Sequence, residues 1–152
     1  MKKIKELFNK ITEYIFPLTH TCNSCGREIF FDGYFCEECE KSIIYNDKII
    51  CNHCGRRIFN EENYCNSCSG RETYFEKARS AYVYAPPISS MILRLKYENQ
   101  KYLAKIFAKQ LSFVYFKNFM CCDAVTFTPM TKEREEERGY NQAEVLADEF
   151  CK

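Results

Sequence analysis

Four Cys-x2-Cys pairs, arranged as two copies of one unit, constrain this 152-residue chain more than any other feature. The first copy reads CNSCGREIFFDGYFCEEC from Cys22, and the second reads CNHCGRRIFNEENYCNSC from Cys51. The offset of 29 residues aligns all four cysteines, and with them Asn23/Asn52, Gly26/Gly55, Arg27/Arg56, Ile29/Ile58 and Phe30/Phe59. Self-similarity at a fixed spacing marks duplication of one structural unit. Each copy places ten residues between its knuckles, enough for a hairpin that brings four thiolates around one ion. The predicted ligands are Cys22, Cys25, Cys36 and Cys39 in the first copy, and Cys51, Cys54, Cys65 and Cys68 in the second.

A hairpin this short buries too little apolar surface to fold by itself. Zinc at an all-cysteine site contributes on the order of 10–16 kcal/mol. Ile29, Phe30, Ile58 and Phe59 contribute roughly 1.5–3 kcal/mol each if buried. The metal therefore dominates, and two Zn2+ ions per chain are expected. Iron accepts the same ligand set. Eight thiolates leave no open coordination position, so the sites read as structural. The repeat favours sequential pairing of knuckles, with interleaved pairing left open. His20 and His53 lie beside the ligands and would be surplus fifth donors, so they read as non-ligands. Cys121, Cys122 and Cys151 fall outside the repeats, and the vicinal pair Cys121 and Cys122, at the start of a predicted strand, reads as buried free thiols.

Eleven cysteines would suit a secreted disulfide framework only if the chain carried an export signal. Its N-terminus begins basic, but Glu6, Lys10 and Glu13 break any apolar stretch. No segment reaches the roughly 18–20 apolar residues of a membrane span. A cytoplasmic location is the expectation, and clustered thiols there point to metal. Net charge is +1, so nucleic-acid binding would need a local patch. Arg56, Arg57 and Arg71 supply a candidate beside the second copy.

Residues 4–15 place Ile4, Leu7, Phe8, Ile11 and Ile15 on one helical stripe, predicting a docking helix or a membrane-surface helix. Residues 78–84 alternate like a strand. Ile88, Met91, Ile92 and Leu95 mark one amphipathic helix, and Leu103, Ile106, Phe107, Leu111 and Val114 mark a second over about 100–117. Residues 123–128 predict a buried strand, 129–139 a polar loop, and Asn141 with Glu144 the cap of a last helix. The expected organisation is an N-terminal helix over 1–17, a double zinc ribbon over 20–75, and an α/β segment with a parallel sheet over 76–152.

Beyond the ribbons, Tyr84-Ala85-Pro86 followed by Leu95-Lys96-Tyr97, and Arg138-Gly139-Tyr140-Asn141-Gln142 spaced after Pro129, carry a further likeness. From Cys22 onward the chain resembles the ComF family, competence-associated proteins with a double zinc ribbon and a type I phosphoribosyltransferase-like domain. Where that family shows V-P-x-P, this chain has Thr126-Phe127-Thr128-Pro129, which keeps the second proline alone. The resemblance implies an α/β fold with small β zinc ribbons, leading into the first part of a phosphoribosyltransferase-like domain. It also implies that this segment stops before the acidic pair and T-T-G loop that hold phosphoribosyl diphosphate, and so is inactive alone. The 129–139 loop would lie on the diphosphate side of the cleft, with Arg134 and Arg138 as anion contacts. The alternative for KEREEER is a solvated charge run.

The function so implied is handling of single-stranded DNA during natural transformation, with competence proteins as further partners. The competing readings are a phosphoribosyltransferase when full length, and a protein-docking module. Arg27, Arg56, Arg57, Arg71 and Arg79 near Phe30, Phe59, Tyr64, Tyr74 and Phe75 suit a single-strand track. Against that, Phe30 and Phe59 read more readily as padding for the ribbons.

Overall fold

The computed structural model describes residues 20–59, 62–71 and 74–152. The helix expected over 4–15 lies outside the described residues. The chain divides into two compact units, Met1–Ser42 and Ile43–Lys152, so the division falls between the two ribbons.

In the first unit, β1 (His20–Thr21) pairs antiparallel with β2 (Glu28–Ile29). The second knuckle of this ribbon runs into α1 (Glu37–Ser42), where Lys41 and Glu37 meet one turn apart. Among its described residues, Cys22, Ile29, Phe35 and Cys36 are the buried side chains. So small a core is consistent with a fold that depends on its metal.

The second unit joins the second ribbon to a helical body. In that ribbon the β1–β2 pair is reduced to one bridge, Ile50 to Arg57, in the register that the repeat prescribes. The body contains α2 (Ile88–Tyr97), α3 (Leu103–Lys117), α4 (Lys132–Arg138) and α5 (Gln142–Phe150). The expected stripes do face inward: Ile88, Met91 and Leu95 on α2, and Leu103, Ile106 and Phe107 on α3, are buried. Helix α5 packs along α3, with the Phe150 ring edge-on to Tyr115 at 5.7 Å. Tyr140 is buried and donates its hydroxyl to the Leu95 carbonyl near the end of α2. Asn141, also buried, caps α5 by accepting from the Ala143 amide at 2.9 Å, and its amide nitrogen donates to the Thr128 carbonyl.

Three expectations are corrected. The parallel sheet is absent among the described residues, whose only sheet is the antiparallel β1–β2 pair. Segment 78–84 instead meets the linker between the ribbons. Asn46 donates its amide to the Ala81 carbonyl at 3.1 Å, Val83 donates to the Ile44 carbonyl at 2.8 Å, and Tyr45 bridges antiparallel to Tyr82. Residues 123–128 hold no regular secondary structure and are exposed, not a buried strand. An extended segment becomes a strand only when a neighbour takes its backbone groups. No strand of the described residues does so here. Finally, most of the 129–139 loop is helix α4. Thr131 accepts the Arg134 amide at its start, and Gly139, at φ 81°, closes it in the left-handed cap position.

Candidate metal centres and the surface beside them

The knuckles of the two ribbons share their backbone hydrogen bonds. Cys22 donates its amide to the Arg27 carbonyl at 2.7 Å, and Cys51 to that of Arg56 at 2.8 Å. Gly26 donates to Cys22 at 2.8 Å and Gly55 to Cys51 at 3.0 Å. Asn23 donates to Tyr34 and Asn52 to Asn63. These tight turns aim the two thiols of a knuckle at one point. The turn glycines have φ of 75° and 68°, a conformation that side chains with a Cβ rarely adopt.

Within each ribbon the four sulfurs lie within 4.8 Å of one another: Cys22, Cys25, Cys36 and Cys39, then Cys51, Cys54, Cys65 and Cys68. The pairing is therefore sequential. Cys25 Sγ and Cys36 Sγ are 3.7 Å apart, as are Cys54 Sγ and Cys65 Sγ. A tetrahedral zinc with bonds of about 2.3 Å spaces its sulfurs by about 3.8 Å. The two clusters fit two zinc ions. Neither needs a histidine: His53 stacks on Phe75 at 4.4 Å, and His20 lies in β1.

The thiols carry the electrostatic mark of four acids crowded together. Burial pushes Cys22 up, but hydrogen bonds from the backbone at Cys25, Cys36 and Ser24 outweigh it and bring it down to about 6. Cys51 comes down to about 6 against the same burial, through the Cys65, Cys54 and His53 backbone. The last thiol goes the other way. A hydrogen bond with Ser24 favours the Cys39 thiolate, but burial and the other three sulfurs push it up to about 12. Burial, then the other sulfurs, raise Cys68 to about 12. Ionising the fourth sulfur beside three others needs a cation, and a divalent metal supplies that charge.

Residues 11–69 match the double zinc ribbon family. The chain carries a double zinc ribbon. No curated protein and no solved structure matches the chain.

The double zinc ribbon sorts the arginines of the proposed track. Arg27 is paired with Glu38 at 2.8 Å, and that hydrogen bond and charge raise its pKa. Arg79 is committed to the fold through Asn118, Ala78 and Asn52. Arg57 donates to the Tyr45 carbonyl at 3.4 Å and leaves its Nε buried without a partner among the described residues. Arg56 is exposed and lines a cavity of about 420 Å3 with Arg57, Phe59 and Ser67. Arg71 is exposed and does not line that cavity.

Two further expectations are overturned. Phe30 and Phe59 do not pad the ribbons: they are 80% and 96% exposed, while the preceding Ile29 and Ile58 are 2% and 8% exposed. Each ribbon thus turns its isoleucine in and its phenylalanine out, as strand alternation requires. Cys121 and Cys122 are exposed, not buried, and Cys151 is exposed as well. They follow the ends of α3 and α5, where no later layer covers them among the described residues; Cys122 Sγ sits 3.6 Å from the Tyr115 hydroxyl.

Arg134 and Arg138 do come together. They line a polar cavity of about 470 Å3 with Lys96, Tyr97, Asn99 and Glu137. The Arg138 guanidinium lies over the Tyr97 ring at 5.0 Å and donates to Gln142 Oε1. The roles of Lys96, Tyr97 and Asn99 were missed. Only Leu95-Lys96-Tyr97 stood out in the sequence, and its distance from Arg134 along the chain hid the connection.

Proposed function

We propose that this chain is a ComF-type protein that handles single-stranded DNA on the cytoplasmic side of natural transformation, alongside other competence proteins. The second ribbon is its nucleic-acid contact. The observation that carries this reading is the cavity where exposed Arg56 meets exposed Phe59. Single-strand binders combine a cation for the backbone with an aromatic face for a base. Arg71 adds a second exposed cation nearby in sequence. The zinc ions hold the ribbon that presents these groups. The test is anisotropy with a labelled thymidine oligomer across about 50–200 mM salt. Affinity should fall with salt, at a log–log slope of about 0.7 per phosphate contact. Salt-independent affinity would mean apolar docking of a protein instead.

A second reading concerns the cavity of Lys96, Arg134 and Arg138. Three cations against the single carboxylate of Glu137 around one polar space suit a phosphate or diphosphate group. This supports an anion subsite on the phosphoribosyltransferase-like side. Calorimetry with phosphoribosyl diphosphate and Mg2+ tests it. Weak binding that Arg134→Ala reduces supports the subsite, no binding refutes it, and binding tighter than about 10 μM, near −6.8 kcal/mol, would show that residues 1–152 hold the whole group unaided.

A further inference from the structure

The two ribbons are copies, yet their surfaces differ at one position that decides what each can bind. In the first ribbon, Glu38 holds Arg27 at 2.8 Å. By the repeat, Arg27 corresponds to Arg56 and Glu38 to Ser67. Ser67 and Arg56 line the same cavity, so the second ribbon keeps the arginine and replaces its carboxylate with a hydroxyl. Two neighbouring positions change in the same sense. Glu28 and Glu37 of the first ribbon correspond to Arg57 and Asn66 of the second. Each zinc with four thiolates also carries a net charge of −2, which repels phosphate. Over residues 22–39 the first ribbon sets one arginine, Arg27, against Glu28, Asp32, Glu37 and Glu38 and so adds to that charge, whereas over residues 51–68 Arg56 and Arg57 balance Glu61 and Glu62.

The aromatic half of the site is present in both copies. Phe30 and Phe59 are each exposed beyond three-quarters. Only at Phe59 does an arginine outside any ion pair among the described residues line the same cavity. We infer that the second ribbon binds one unpaired nucleotide, with its base stacked on Phe59 and its phosphate on Arg56, and that Glu38 keeps the first ribbon from doing the same. This rests on the single-strand reading above and names the two groups that carry it. A duplex hides the faces of its bases, so the site selects single strands. The acidic first ribbon contributes an aromatic face without a phosphate contact.

The experiment uses the full chain loaded with zinc, a labelled thymidine oligomer and the matching duplex. Phe59→Ala should weaken single-strand binding about 5-fold to 100-fold, the span for one lost stacking platform. Phe59→Tyr should restore it, since the ring remains. Ser67→Glu should weaken binding several-fold by recreating the Arg27–Glu38 pair around Arg56. Glu38→Ser should strengthen binding by releasing Arg27 beside Phe30. Two zinc equivalents retained in each variant would show that the ribbons remain folded. Wild-type binding that is indifferent to Phe59→Ala and Ser67→Glu would overturn the inference and leave the single-strand reading standing. Equal affinity for the duplex would overturn both the inference and the single-strand reading. Absence of oligomer binding by the wild type at about 50 mM salt would defeat the reading itself.

Discussion

Arg79 donates Nε to Asn118 Oδ1 at 2.7 Å and Nη2 to the Asn52 carbonyl at 3.0 Å. One side chain thereby ties the first knuckle of the second ribbon to the C-terminal cap of α3. Lys77 reaches the Asn118 carbonyl at 3.4 Å, and Ala78 donates to the His53 carbonyl at 2.8 Å. The second ribbon is thus hydrogen-bonded to the helical body. Arg79→Ala should cost about 2–3 kcal/mol, because charged hydrogen bonds at a half-buried site are lost together. Thermal unfolding would register it. Unchanged stability would mean that the Ala78 and Lys77 bonds suffice. Arg79→Ala should leave the zinc of the first ribbon bound.

The turn glycines should respond unequally to the same change. A Cβ at Gly55 would meet the Ala78 carbonyl oxygen at 2.6 Å, whereas one at Gly26 would meet nothing within 4 Å. Both carry a positive φ. Gly26→Ala should therefore cost only the backbone strain, about 1–2 kcal/mol. Gly55→Ala should cost more and displace residues 78–79 from the second ribbon. Proteolysis near residue 78, compared between the two variants, would show the difference.

Zinc should dissociate by ribbon. Cys36→Ser and Cys65→Ser each remove one sulfur from one complete tetrad. Each variant should bind one equivalent where the parent binds two. Loss of both metals from either variant would show that the tetrads do not bind independently. Removal of all zinc by a chelator should unfold both ribbons, since a hairpin of this size has too small a core without metal.

The remaining thiols should be reactive in the folded, zinc-loaded protein. Cys121, Cys122 and Cys151 are exposed and belong to neither tetrad. A colorimetric thiol reagent should titrate these three rapidly and the eight ligands only after chelation. Fewer than three fast thiols would return Cys121 and Cys122 to the interior.

The cation cavity should act apart from the ribbon. Arg134→Ala should reduce binding of inorganic diphosphate about 10-fold, in line with one charged hydrogen bond lost. It should leave the affinity for the thymidine oligomer within about twofold. A parallel loss of both would merge the two surfaces into one site.

What sequence alone determined was local or periodic. The Cys-x2-Cys spacing and the 29-residue repeat pointed to all eight ligands, because a knuckle is closed by bonds within a few residues, while the sequential pairing of knuckles into tetrads was decided by the fold. The stripes of α2 and α3 were legible because burial follows the helical period. The cap at Asn141 was legible because capping is a bond to the next turn. Helix α4 could have been read from its strong helix formers and Gly139, but its charge suggested a loop. The tertiary structure decided whatever depends on partners distant in the chain. Segments 78–84 and 123–128 both have strand-like patterns, yet a strand exists only where another chain segment accepts its hydrogen bonds. The same holds for the arginines. Arg27, Arg56 and Arg79 look alike in sequence, but Glu38 occupies the first, Asn118 and Asn52 occupy the third, and Arg56 is left facing solvent. A charge becomes a binding group only when no neighbour in the fold has already taken it, and that depends on contacts that a repeat or a period does not encode.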